Sequence, residues 1–522
     1  MRPMRVPSRL LPADTVSSAG VALGLRMLLF DGICTQVMLV LSGGAFLVAY
    51  ALLMGASNKL VGLLFAIPWA AQMLQLPSML IVERIGLRKA LVVASAGVSR
   101  TALIAMAAVP WVVTEQRRLA VLVTSLALFW GIGAVGGCAF SPWMRDLVPD
   151  RVRGRYFGRR LAAAVAAGAT VSVIGGVGVD ACRARWAPEI GAYTVLLLVA
   201  AAVWFLGVGF LSDIPEPRMK VRPSSGIGAA LAEPLRDANF RNLLLFVAVW
   251  YFSMNLATPF FPVYMLTKLR LSMTWITVLF LVSQSAIVAF LNIWGKLADR
   301  FSNRSVLAVA APLFMASTLL WPLTSAQVPP ALRLLLLAGI HALSGVAMAG
   351  TMLCGWNIAL KLAPRASSTG YLATYALVFG GAASVAPVLG GAGIDWLAAR
   401  GVSFTLSGLG SLPALRLDGL DLLFAVSVIA GAVSLRFLAQ VEERGDVEEK
   451  EVFAGLYSEL RAAARALSPV PWLRLPAGFP YDLLGRRLPE ERDLGGNEPV
   501  EQEPGTGARP RGEPQRRDSE PR

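Results

Sequence analysis

Twelve apolar runs, each long enough to cross a bilayer, govern what this 522-residue chain can fold into. A spanning helix needs about 20 mostly apolar residues, and it works because every backbone N–H and C=O is satisfied within the segment. The runs fall at 27–54, 58–82, 89–112, 118–142, 160–181, 191–213, 242–267, 273–297, 305–325, 331–361, 367–396 and 418–440. Composition agrees, with 56% hydrophobic and 16% charged residues, where soluble proteins carry about 25% charged residues. The predicted fold is all-α and polytopic, with about 12 transmembrane helices and a lipid bilayer as its first partner. The first run is too long for the apolar part of a cleaved leader and reads as a retained span.

Charge placement sets orientation. The net charge of +15 suggests nucleic acid at first sight, but the basic residues sit in short loops between apolar runs, so no nucleic-acid partner is expected. With the N-terminus taken as cytoplasmic, roughly 23 Lys and Arg fall in inner segments and about 10 in outer loops, the tail left out. Both termini are therefore expected in the cytoplasm, and abundant Ala, Arg, Gly and Pro suggest a bacterial plasma membrane.

The chain repeats itself. Gly175-Gly176-Val177-Gly178-Val179-Asp180 returns as Gly390-Gly391-Ala392-Gly393-Ile394-Asp395, an offset of 215. Ser57 matches Ser272, Glu83-Arg84 matches Asp299-Arg300, and Trp143 matches Trp356 at nearly the same spacing. The expected organisation is a segment 1–26, a six-helix bundle 27–213, a polar linker 214–241, a second and pseudo-symmetric bundle 242–440, and a tail 441–522. The tail opens with a candidate amphipathic helix, 448–467. Beyond Arg492 it is rich in Gly, Pro, Glu and Arg and is expected to be disordered.

Between helices eight and nine the chain reads Gly295-Lys296-Leu297-Ala298-Asp299-Arg300-Phe301-Ser302-Asn303-Arg304. Between helices two and three it reads Met79-Leu80-Ile81-Val82-Glu83-Arg84-Ile85-Gly86-Leu87-Arg88. In these stretches, and across about residues 25–440, the chain resembles the major facilitator superfamily. The resemblance implies two bundles rocking about a central site. It also implies gating by a charge cluster at the bundle junction, made of Glu83, Arg84, Gly86 and Arg88 in one copy and Gly295, Asp299, Arg300 and Arg304 in the other. Physically, an acid followed by bases at a helix end forms ion pairs, and these strengthen where the bundle junction excludes water. The alternative is a set of bases that only fixes topology. A Gly-Pro run of the antiporter kind is missing from helix five, and the Gly pairs read as helix packing.

Polar residues inside apolar runs mark the candidate path. Arg100 lies about 16 Å along helix three from Lys89, near the midplane, where an unpaired guanidinium costs at least about 2.5–3.5 kcal/mol. Asp31 is its best acidic partner in the first half. The pair reads either as an internal bond of the bundle or as substrate and proton handling. His341 titrates near neutral pH when exposed, so it is a proton-handling candidate, with hydrogen-bonded packing as the alternative. The resemblance implies that helices one, four, seven and ten line the cavity, which brings forward Gln36, Tyr251, Asn255, His341 and Ser344. Gln72, Gln75, Gln284 and Asn292 join them from helices two and eight. Asp180 and Asp395, at outer helix ends, are expected to face water.

One histidine excludes multi-His metal sites and His-based triads, and no metal or cofactor is expected. No Gly-x-x-x-x-Gly-Lys-Ser/Thr sequence is present, so the chain is not expected to hydrolyse ATP, and it is not expected to be an enzyme. The expected function is secondary active transport of a small organic solute by alternating access, in a monomer, with protons as the default coupling ion. The rival is a non-transporting membrane scaffold or sensor with a transporter-like body. These residues do not choose the substrate.

Overall fold

The computed structural model describes residues 10–14, 16–185, 188–218, 227–325, 329–364, 367–406 and 415–467, excepting the side chains at 76, 80, 83, 151, 227–230, 406, 415 and 461–467. The expected disordered tail lies outside these residues.

The first half comprises α1 (Ser18–Ser42), α2 (Gly44–Leu53), α3 (Asn58–Met73), α4 (Gln75–Ile85), α5 (Arg88–Val112), α6 (Glu115–Leu147), α7 (Asp150–Arg185) and α8 (Ile190–Asp213). A short linker helix, α9 (Ile227–Arg236), follows. The second half comprises α10 (Ala238–Ala257), α11 (Phe261–Val263), α12 (Met273–Arg300), α13 (Asn303–Leu319), α14 (Pro330–Leu362), α15 (Ser368–Ala399) and α16 (Gly419–Leu438), and α17 (Glu449–Leu467) closes the described chain. A two-stranded antiparallel hairpin, β1 (Phe404–Leu406) with β2 (Leu415–Leu417), joins α15 to α16.

Eleven helical segments are long and apolar enough to cross a membrane. The twelfth expected span is α3 with α4, broken at Leu74. Pro77 explains the break, because it has no N–H for the Met73 carbonyl. The first span also divides, at Gly43, where extended backbone interrupts the helix and Gly44 takes φ +51. After α10 the chain narrows to a 3₁₀ turn at Thr258–Phe260 and widens to a π turn at Tyr264–Lys268. Pro259 and Pro262 withhold donors there.

Helix starts are fixed by side-chain caps. Ser57 and Ser272, matched in the repeat, cap α3 and α12 from equivalent positions, and such caps contribute about 1 kcal/mol each. Outward-facing positions stay apolar: Ile174 is 64% exposed, Leu335 69% and Ile429 64%. Side chains of this kind find their apolar surroundings in lipid.

The end of the molecule that carries the start of α1 and α17 is here the termini face, and the opposite end is the distal face. One hydrophobic core runs through the first half and continues across the distal ends of the second, taking in Phe260, Tyr264, Met273, Ile276 and Phe424. A separate core, with Phe240, Trp294, Phe314 and Tyr371, belongs to the second half alone. The halves therefore fuse at the distal face.

Candidate functional site

Between the halves lies a cavity of about 890 Å³. From the first half, α3, α4 and α6 supply Trp69, Gln72, Met73, Gln75, Met79 and Cys138; from the second, α10 and α14 supply Tyr251, Met254, Asn255, Met348, Met352 and Trp356, and α15 adds Tyr375 and Phe379. The wall is chiefly sulfur and aromatic carbon with a few amides, a lining that adapts to ligand shape. No charged side chain lines it among the described residues. Toward the distal face the Phe379 ring stands edge-on to Trp69 (centroids 4.9 Å apart) and to Tyr251 (4.2 Å), so one aromatic group from each half and a bridging ring form the floor.

Below the floor the halves are bolted together by two reciprocal caps. Asp395, at the end of α15, accepts from the backbone N–H of Asn58 (3.1 Å) and Lys59 (2.9 Å), the first two residues of α3. Asp180, at the end of α7, accepts from the N–H of Met273 (3.0 Å) and Thr274 (2.7 Å), the first two residues of α12. Each half thus places a carboxylate on the positive end of the other half's helix. The expectation that these aspartates simply face water is corrected here: their oxygens are bonded across the interface. Beside them the repeated Gly pairs let helices approach closely. A Cβ on Gly391 would overlap the Asn58 carbonyl, one on Gly176 would meet Thr277, and one on Gly62 would overlap the Pro387 carbonyl.

Near the termini face the charges stay within each half. Glu216 accepts from the N–H of Arg88 (3.0 Å) and Lys89 (3.1 Å) at the start of α5. The Arg88 guanidinium, fully buried, pairs with Glu216 (3.2 Å) and Asp146 (2.6 Å). In the second half Glu443 accepts from the Arg304 N–H (2.8 Å) and from Lys361 (2.7 Å), while Arg304 pairs with Asp446 (2.9 Å). Arg84, Asp299 and Arg300 are exposed, and Gly86 turns the chain after α4 at φ +65. The Glu83 side chain lies outside those described. Gly295 faces Leu353 at ordinary contact distance. None of these hydrogen bonds or ion pairs joins the halves.

Of the sequence candidates, Gln72, Gln75, Tyr251 and Asn255 line the cavity. Gln36 packs against Gly168, and Gln284 and Asn292 are exposed on α12 and do not line this cavity. His341 is buried among Phe280 and Trp321, with Nδ1 2.9 Å from the Ser283 hydroxyl and no described partner for Nε2. Asp31 is buried but bonds to Arg160 of α7 (3.1 Å), not to Arg100. Arg160 lies 129 residues on, at the very start of the apolar run 160–181, and was not singled out in sequence as a partner. Arg100 lies in a small alcove of about 90 Å³ that shares Gln72, Gln75 and Gly137 with the main cavity. Its guanidinium sits over the Trp204 ring (4.1 Å) and the Phe129 ring (4.9 Å) and bonds to Ser99. Sequence reading missed the methionine wall, because methionines at helical spacing look like ordinary core.

A sequence model of the Major Facilitator Superfamily matches residues 32–387. No curated protein matches the chain in sequence. In fold it is similar to the nucleoside transporter NupG (14% identity, 81% of this chain and all of that one, TM-score 0.60). It is similar also to a bacterial homologue of the human lysosomal transporter Spinster, in an inward-facing and unoccupied conformation (13% identity, 85% and 98% covered, TM-score 0.58). A bacterial homologue of the iron transporter ferroportin, in an inward-facing state, has 15% identity, 82% and 100% coverage and a TM-score of 0.56.

Proposed function

This chain belongs to the Major Facilitator Superfamily of membrane transporters, and from that premise we propose that it is a secondary carrier moving a small organic solute by alternating access. The observation that carries the reading is the asymmetry of the junction. The halves are sealed by reciprocal caps and close glycine contacts at the distal face, while a cavity lined by both of them opens away from that seal. Two rigid halves joined at one end can rock until the seal forms at the other.

The excess of Lys and Arg in the loops of the termini face supports an orientation with both termini in the cytoplasm. On that orientation the structure is the cytoplasm-open state of a bacterial plasma-membrane carrier. The charges at Arg84, Asp299 and Arg300, now exposed, then meet across the junction in the opposite state, where partial desolvation strengthens them. The carrier acts as a monomer, since the cavity is complete within one chain.

Proton coupling rests on Asp31. Its carboxylate is held by Arg160, so proton uptake would release a link between α1 and α7 inside the first half. His341, bonded to Ser283 away from the cavity, is a weaker site for this role. The test is solute flux in proteoliposomes under an imposed pH gradient. Coupling predicts accumulation with the gradient and its loss in Asp31→Asn; flux indifferent to the gradient ends the coupling assignment and leaves the carrier.

A further inference from the structure

We infer that the solute is an organic anion with an apolar, ring-sized body, whose acidic head is received by Arg100 in the alcove beside the main cavity. The inference deepens the carrier reading and rests on it.

The first half holds two guanidiniums, Arg100 and Arg160, around one buried carboxylate, Asp31. That carboxylate is bonded to Arg160. Arg100 feels the same carboxylate only at longer range, and among the described residues no acid reaches ion-pair distance of it. The region therefore carries one positive charge more than its acids neutralise. A cation kept so in a membrane interior is costly unless something compensates it. The Phe129 and Trp204 faces compensate in part but accept no strong hydrogen bond. One bond, to Ser99, is described for its five N–H donors, and the buried Nε has no partner.

The surroundings are shaped to receive an acceptor. Gly133 faces the guanidinium, and a Cβ there would stand 3.1 Å from Nη1, so the missing side chain leaves room beside the donors. Gln72 and Gln75 stand where the alcove and the main cavity meet and offer amide donors to the same head group. Beyond them the wall of Met73, Met254, Met348, Met352 and Trp356 suits an apolar body and offers a cation no carboxylate. A planar guanidinium is the best protein partner for a carboxylate.

The test uses full-length protein in nanodiscs and three isosteric probes: 1-naphthoate, 1-naphthamide and 1-naphthylmethylammonium. Binding is read by tryptophan fluorescence and by thermal stabilisation. The expected result is about tenfold tighter binding of naphthoate than of naphthamide, the worth of one charge-assisted contact. Arg100→Gln should remove that preference and Arg100→Lys should keep part of it. Gly133→Val keeps the cation but fills the space beside it, so it should weaken naphthoate selectively in a protein that still melts cooperatively. Equal binding of naphthoate and naphthamide, or a preference that survives Arg100→Gln, overturns the inference. Preference for the ammonium or the amide overturns the anion assignment and leaves the cavity's carrier role standing. If none of the three binds a protein that still alternates between states, the apolar-anion class is wrong; if the protein does not alternate, the carrier reading itself falls.

Discussion

Carboxylates cap helix N-termini at both ends of this molecule, yet the two ends use them differently. At the distal face Asp180 and Asp395 each cap a helix of the opposite half. Near the termini face Glu216 and Glu443, each just past the last helix of one half, cap a helix of the half they follow. The local chemistry is the same, an anion on the exposed N–H groups of a first helical turn. Only the ownership of the helix differs. A cap within one half adds to that half's stability in every conformation. A cap between halves favours only the conformation that brings them together, and so it sets a population.

The largest effect expected is on stability, at the termini face. Glu216→Ala leaves the Arg88 guanidinium buried with Asp146 as its one acid, beside the Pro217 carbonyl, and removes two caps from α5. It should cost about 3 kcal/mol, at the lower end for breaking a buried pair, read as a fall in thermal midpoint with little change in the ratio of open to closed states. A change in that ratio instead would break the comparison.

Next comes Asp395→Ala at the distal face. Losing a partly buried cap costs about 2 kcal/mol, and at 1.4 kcal/mol per tenfold this shifts the equilibrium roughly 30-fold toward the distal-open state. Asp180→Ala should do the same, since the repeat gives it the same role. Unequal effects from the two would show that the pseudo-symmetry is structural and not energetic.

Gly391→Ala sharpens the point without touching charge. Its Cβ would overlap the Asn58 carbonyl, so the distal seal must loosen; the expected shift is about 1–2 kcal/mol in the same direction, measured by alkylation of a cysteine placed at Lys59. Smallest of all is Asp299→Asn, within about 0.5 kcal/mol of neutral in the present state, where the residue is exposed. A larger penalty in a distal-open variant would show that its partner lies across the junction.

Much of this architecture was legible in the sequence because it depends on local hydrophobic length. The apolar runs gave the spans, and the Gly-Gly-x-Gly-x-Asp repeat gave the paired helix ends α7 and α15. What could not be read were partners distant in sequence. Asp395 bonds to residues 336 and 337 positions away, so its carboxylate looked like one left in water. Asp31 found Arg160 in place of Arg100 because burial and helix crossing, not sequence distance, decide which guanidinium arrives. The break at Leu74 was written in Pro77, yet the run stayed apolar across it. Gln72, Gln75, Tyr251 and Asn255 were found as polar groups on the path, whereas the methionine wall carried no mark to separate it from packing.

If the distal caps hold one of two states, removing both must release the other. Spin labels on cysteines at Lys59 and Arg400 report the distal gap, and labels at Arg84 and Arg300 report the gap at the termini face; all four positions are exposed. Pulsed electron paramagnetic resonance should give a short distal distance in the otherwise native protein. In Asp180→Ala/Asp395→Ala the distal distance should lengthen as the termini-face distance shortens. Distances that stay single and unchanged in that double variant would contradict this role of the caps.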